Sequence, residues 1–113
     1  MEYFESINRT AVIISHKKAL TDWLESIDPS APLEIQKHDG KTIYLLPEED
    51  DDASCERYLK KHWRKIFEQE LEDWCTDMDQ WPKVMSWEVF NEWFDYEFQS
   101  MIFDTLDGSI EKE

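Results

Sequence analysis

The chain has 113 residues, 41% of them hydrophobic, with six tryptophans, six phenylalanines, four tyrosines and a formal net charge of −15. That length sustains one hydrophobic core, and the aromatic content excludes a disordered acidic chain despite the charge. Residues 66–113 hold fourteen acids and two bases, a net of −12; such a field repels phosphate backbones and anionic lipid, which argues against direct nucleic-acid or membrane binding.

The opening MEYFESINRTAVII lacks a basic stretch followed by an apolar one, so no signal peptide is expected. No apolar run approaches the roughly 20 residues that span a bilayer. Cys55 and Cys75 have neither metal-ligand nor redox spacing and read as reduced thiols. The expectation is a cytoplasmic protein with a single domain over residues 1–108 and a frayed acidic tail over 109–113.

NRTAVIIS is short, uninterrupted and β-branched at Thr10, Val12, Ile13 and Ile14, which predicts a buried strand. In the following HKKALTDWLESIDP, Leu20, Trp23, Leu24 and Ile27 form one stripe of an amphipathic helix. Ser15 is placed to cap its start, and Asp28-Pro29 should end it, because the residue before proline avoids helical backbone. Leu33 and Ile35 alternate with polar residues, Asp39-Gly40 signals a hairpin turn, and Thr42–Leu46 reads as a second strand closed by Pro47.

The longest helix is predicted over about residues 52–74. The acids Glu48–Asp52 precede its N-terminus, where exposed amides favour negative charge. Leu59, Trp63, Ile66, Phe67, Leu71 and Trp74 form its buried face, with Trp63 expected in the core. Thr76–Met85 reads as a loop made rigid at Trp81-Pro82. Ser86 then caps a third helix with Phe90, Trp93, Phe94 and Phe98 on its apolar face. Residues 99–106 fit a buried third strand, with Ile102 and Leu106 opposite Met101 and Phe103; continued helix is the alternative. The whole is an α+β two-layer domain: a small mixed sheet of three or four strands packed by three helices. A right-handed crossover would make its first two main strands parallel unless the Asp39-Gly40 hairpin intervenes.

"NRTAVII", "LEDWCTDMDQWP" and "WFDYEFQSMIFD" together resemble a family of short, acidic bacterial proteins of unknown function, along nearly the whole chain. The resemblance implies a bacterial cytosolic α+β domain and supplies no activity, ligand or catalytic residue.

The residues equip the chain poorly for several chemistries. Its two glycines, Gly40 and Gly108, make no phosphate cradle. His16, His38 and His62 accompany no nucleophile motif. The acid clusters Asp50–Asp52, Asp77 with Asp79, and Asp104 with Asp107 do not comply with a calcium-loop pattern, so no cofactor or metal is expected. In residues 71–95, four tryptophans stand among many carboxylates and one lysine. Trp74 and Trp93 fit helical stripes, whereas Trp81 and Trp87 do not. Exposed aromatics ringed by acids resemble interface anchors; the competing reading is that they plug the end of the core.

The leading expectation is therefore a non-catalytic protein-binding domain. Its face would comprise Trp81, Trp87, Asp77, Asp79, Glu88 and Glu92, and would suit a basic protein; homo-oligomers stay open. A small metal-binding domain or enzyme using Asp77, Asp79 and His62 is the second class, and mimicry of nucleic acid the third.

Overall fold

The computed structural model describes residues 3–29 and 41–113, so Leu33, Ile35 and the turn expected at Asp39-Gly40 lie outside the described residues. The elements are β1 (Glu5–Ser6), β2 (Arg9–His16), α1 (Lys18–Ile27), β3 (Lys41–Pro47), α2 (Asp52–Glu72), a 3-10 turn (Met78–Gln80), α3 (Trp87–Trp93), β4 (Phe94–Gln99) and β5 (Phe103–Asp104). The α+β class is as the sequence predicts.

β2 is the centre of a three-stranded sheet of order β3-β2-β4. Its Thr-Ala-Val-Ile-Ile run suits a strand flanked on both sides. Both partners run antiparallel to it, with Ile14 opposite Thr42 and Tyr96, and Thr10 opposite Leu46. The sheet is therefore antiparallel rather than mixed. The chain returns along β2 after α1 instead of crossing over to a parallel strand. β1 and β5 form a separate two-stranded antiparallel ribbon.

Alternation decides which side chains enter the core. Val12 and Ile14 of β2, Leu46 of β3 and Phe94 of β4 join Leu20 and Leu24 of α1, Cys55, Leu59, Ile66, Phe67 and Leu71 of α2, and Phe90 of α3. Phe67 is the hub, its ring 5.3 Å from that of Phe94, 5.5 Å from Trp93 and 6.0 Å from Phe90. Offset and edge-on aromatic pairs at these separations add to the burial energy.

Helix ends follow local chemistry, with one exception. Asp51 caps α2 by accepting from the Ser54 amide at 2.7 Å, a bond that holds its carboxyl below the ordinary carboxylate range. Ser86 caps α3 through the Val89 amide at 3.1 Å. Ser15, however, does not cap α1. It is paired within β2 to Lys41 and Asp95, and Lys17 occupies the cap position without a side-chain bond.

Two further expectations are corrected. α3 stops at Trp93, and Phe94–Gln99 is a strand, so the third main strand begins five residues earlier than predicted. Phe94 and Phe98 share a face in either geometry, because a spacing of four suits both a helix and a strand. The alternation Phe94, Tyr96, Phe98 against Asp95, Glu97, Gln99 is the signal that decides. Beyond Gln99, which ends β4, only Phe103 and Asp104 of residues 100–106 are strand-paired, and Met101, Phe103 and Leu106 are exposed rather than buried. Trp63 is also only half-buried, its ring edge-on to Phe67 and covered on one side by the Arg64 guanidinium.

Candidate functional site

The acidic, aromatic stretch is built on the loop between α2 and α3. Asp77 closes the 3-10 turn by accepting from the Asp79 amide at 3.0 Å and from Gln80 Nε2 at 3.3 Å. The Trp23 indole of α1 donates to the Gln80 carbonyl at 2.8 Å and fixes the turn to the helix layer. Trp81 is half-buried, and its Nε1 donates to the Cys75 carbonyl at 2.8 Å. Trp87 is half-buried too, stacked on Phe90 at 5.7 Å and tilted against Tyr96 at 6.1 Å. Both tryptophans thus cover the core while keeping part of their surface in water.

The carboxylates of this stretch face solvent: Asp77, Asp79, Glu88 and Glu92 are all exposed. Glu88 also lies in the first turn of α3, where negative charge is favoured. Two apolar residues of the loop are exposed among them, Met78 and Val84, each at 68%. Pattern reading had no reason to select them, since neither lies on a periodic stripe.

His62 is exposed on α2 and stacks at 4.3 Å on Tyr58. It lies ten residues before the end of α2, roughly 15 Å along the axis. Among the described residues no group of three or more His, Cys, Asp or Glu side chains is placed to hold a metal ion. Cys55 and Cys75 are free; burial first, then Asp52, Glu49 and Asp51, push the Cys55 thiol up.

A second polar constellation, absent from the sequence reading, lies inside the fold. Glu70 of α2 is 1% exposed. Its Oε2 accepts from Thr42 Oγ1 and from the Tyr44 hydroxyl, each at 3.2 Å. Its Oε1 lies 3.8 Å from His16 Nε2. His16 is walled edge-on by Trp74 and Phe94, at 6.3 and 5.9 Å. Neither His16 Nδ1 nor Glu70 Oε1 has a hydrogen-bond partner among the described residues. Burial, reinforced by Glu70, pushes the Tyr44 hydroxyl far above the ordinary tyrosine range. Burial also raises Asp73, with Glu70 and Glu72 adding to the effect and His16 opposing it.

An imidazole, a carboxylate and a phenol in contact have the composition of a general acid–base site. Here the His16 and Glu70 side chains are only 7% and 2% exposed, and the cluster fastens β2, β3 and α2 together. A signal for it existed: Glu70 sits three and four residues after Phe67 and Ile66, on the apolar stripe of α2.

Compared with protein-family models, curated proteins and solved structures, the chain matches none.

Proposed function

We propose that this chain is a non-catalytic protein-binding domain whose acidic, aromatic face takes a basic protein. The observation that carries the reading is the exposure of Met78 and Val84 in the same stretch of chain as half-buried Trp81 and Trp87 and the exposed carboxylates Asp77, Asp79, Glu88 and Glu92. Apolar side chains in a solvated loop add nothing to the core, and an apolar centre with a charged rim is the anatomy of a recognition patch. The carboxylates would steer a basic partner and set the association rate, while the apolar groups would set its lifetime. The reading extends to a cytoplasmic setting. The resemblance to short acidic bacterial proteins adds no activity to it.

The test is capture of binding proteins from native cytosol, followed by surface-binding kinetics with two variants. Converting the four carboxylates to amides should slow association, and the Met78→Ala, Val84→Ala double variant should speed dissociation. The proposal fails if both variants bind like the parent. A captured DNA-binding protein whose DNA site is blocked would move the reading to nucleic-acid mimicry.

A further inference from the structure

β4 pairs with β2 on one side, and among the described residues no strand lies on its other side. The Lys17 amide donates to the Trp93 carbonyl at 2.9 Å, in register with that pairing. Antiparallel strands exchange hydrogen bonds at every second pair, so Asp95, Glu97 and Gln99 turn their amides and carbonyls to β2. Tyr96 and Phe98 turn theirs outward, where no backbone partner meets them among the described residues. We propose that this edge takes an extended basic segment of another protein, in which lysine or arginine alternates with apolar residues. The segment adds as an antiparallel strand, the direction that the rest of the sheet uses and the more stable one per residue.

The side chains along the edge select that occupant. Asp95, Glu97 and Gln99 are exposed on the face away from the helices, whereas Tyr96 and Phe98 are half-buried on the helix side with Trp87. An added strand continues this alternation. Its residues opposite Tyr96 and Phe98 lie beside aromatic rings, and those opposite Asp95 and Glu97 lie beside carboxylates. The carboxylates also stand at the pairs that exchange no hydrogen bonds with such a strand, where side chains come closest. Lys17 reaches Asp95 at 3.8 Å, whereas Glu97 meets no cation among the described residues and accepts from Gln99 Nε2 at 3.4 Å.

The same carboxylates disfavour other occupants. A second copy pairing edge to edge opposes Asp95 to the partner's Glu97 when centred on Tyr96, and Glu97 to the partner's Glu97 when centred there. Like charges directly opposite are destabilising. Charged side chains on an edge strand thus guard against self-pairing without barring a chain of opposite sign. An uncharged strand would leave the Glu97 carboxylate unanswered. The other edge of this sheet, β3, ends in Pro47, which has no N–H to give.

The inference rests on the reading that the chain binds a basic protein, and adds where and in what conformation that protein is held. The Trp87 ring lies 6.1 Å from that of Tyr96, so the edge adjoins one tryptophan of the acidic, aromatic face. Main-chain bonds supply the affinity of such an addition, and the alternate side chains its specificity. Salt should weaken it, because the charge pairs are exposed and therefore screened.

The experiment is titration of the full chain with a synthetic peptide of about nine residues in which valine and lysine alternate, followed by amide NMR and hydrogen exchange. The expected result is slowed exchange at the Tyr96 and Phe98 amides. Backbone N-methylation of the valines, whose amides would face β4, should abolish binding. The same change at the lysines, whose amides would face away, should leave it intact. Asp95→Lys with Glu97→Lys should weaken binding about tenfold and admit a valine–glutamate peptide, with the circular dichroism spectrum unchanged because both side chains are exposed. No binding up to about 1 mM peptide, or equal loss from both N-methylations, overturns the proposal. If the peptide instead shifts the amides of residues 77–84 and is lost with Met78→Ala, Val84→Ala, the edge inference fails and the loop reading stands. If a captured native protein is lost with the Asp95, Glu97 variant and held by the Met78, Val84 variant, the loop reading fails and the edge stands.

Discussion

The Tyr44 hydroxyl of β3 donates to Glu70 Oε2 of α2 at 3.2 Å, across an otherwise apolar layer. A carboxylate with so little access to water is tolerated only when its lone pairs are answered. Thr42 answers one, Tyr44 another, and His16 lies opposite the second oxygen. Glu70→Ala should therefore cost about 3 kcal/mol, because the Thr42 and Tyr44 hydroxyls lose their common acceptor and His16 its neighbouring carboxylate inside the fold. Glu70→Gln keeps an acceptor oxygen and should cost less. Urea denaturation of both variants measures the difference, and equal losses would mean that the charge of Glu70 adds nothing.

The same contact predicts an alkaline limit to stability. Tyrosine ionises near pH 10.0 in the unfolded chain, whereas burial and Glu70 raise Tyr44 well above that in the fold. A raised folded pKa gives stability that is fully present below the unfolded value and is lost as pH climbs through the folded one. Wild-type stability should therefore fall faster than that of Tyr44→Phe from about pH 10 upward, although the variant starts lower, by roughly 1 kcal/mol for one lost hydrogen bond. Parallel pH profiles would place the hydroxyl outside the core.

Asp73 gives a test at the acid end. Its carboxyl is raised by burial, Glu70 and Glu72, so its ionised form is disfavoured in the fold, and the stability associated with its proton is lost as pH rises through its folded pKa. Asp73→Asn should melt above the parent at neutral pH, and the gap should close once the pH falls below the carboxylate range. A variant less stable than the parent at pH 7 would contradict the assignment.

The core has a clear hierarchy. Phe67 is fully buried among Trp63, Phe90, Trp93 and Phe94, and Phe67→Ala should cost about 3–5 kcal/mol. Trp63, partly exposed on the rim of the same cluster, should cost less on conversion to alanine, because part of its surface stays in water in either state. If Trp63→Ala destabilises more than Phe67→Ala, the buried face of α2 is turned from the position described.

Trp81 and Trp87 serve the fold as well as any partner. Trp81→Phe deletes the bond to the Cys75 carbonyl and should lower stability by roughly 1 kcal/mol. Trp87→Ala removes a ring stacked on Phe90 and should cost more. Thermal melting of both against the carboxylate-to-amide variants separates the roles: the amide changes should not lower the melting temperature. Titration with Ca²⁺, Mg²⁺, Mn²⁺ or Zn²⁺ should leave it unchanged as well, since Asp77 is already turned onto its own loop.

Local pattern by itself determined β2, α1, β3 and α2 to within a few residues, the Asp28-Pro29 stop, the Ser86 cap and the apolar stripe of α2. Each rests on interactions between residues near in sequence: β-branched runs, i and i+4 spacing, and caps three residues from their amides. Where those rules coincide, as at Phe94 and Phe98, sequence could not choose between helix and strand. Pairing with β2 did, since Phe94 lies opposite His16 and Phe98 opposite Val12. The antiparallel order, the cluster of His16 with Thr42, Tyr44 and Glu70, and the exposure of Ile43 and Leu45 were likewise decided by the tertiary structure. Their members lie far apart in sequence, His16 and Glu70 by 54 residues and the paired Ala11 and Gln99 by 88, and only packing of the helix layer onto one side of the sheet sets which groups meet.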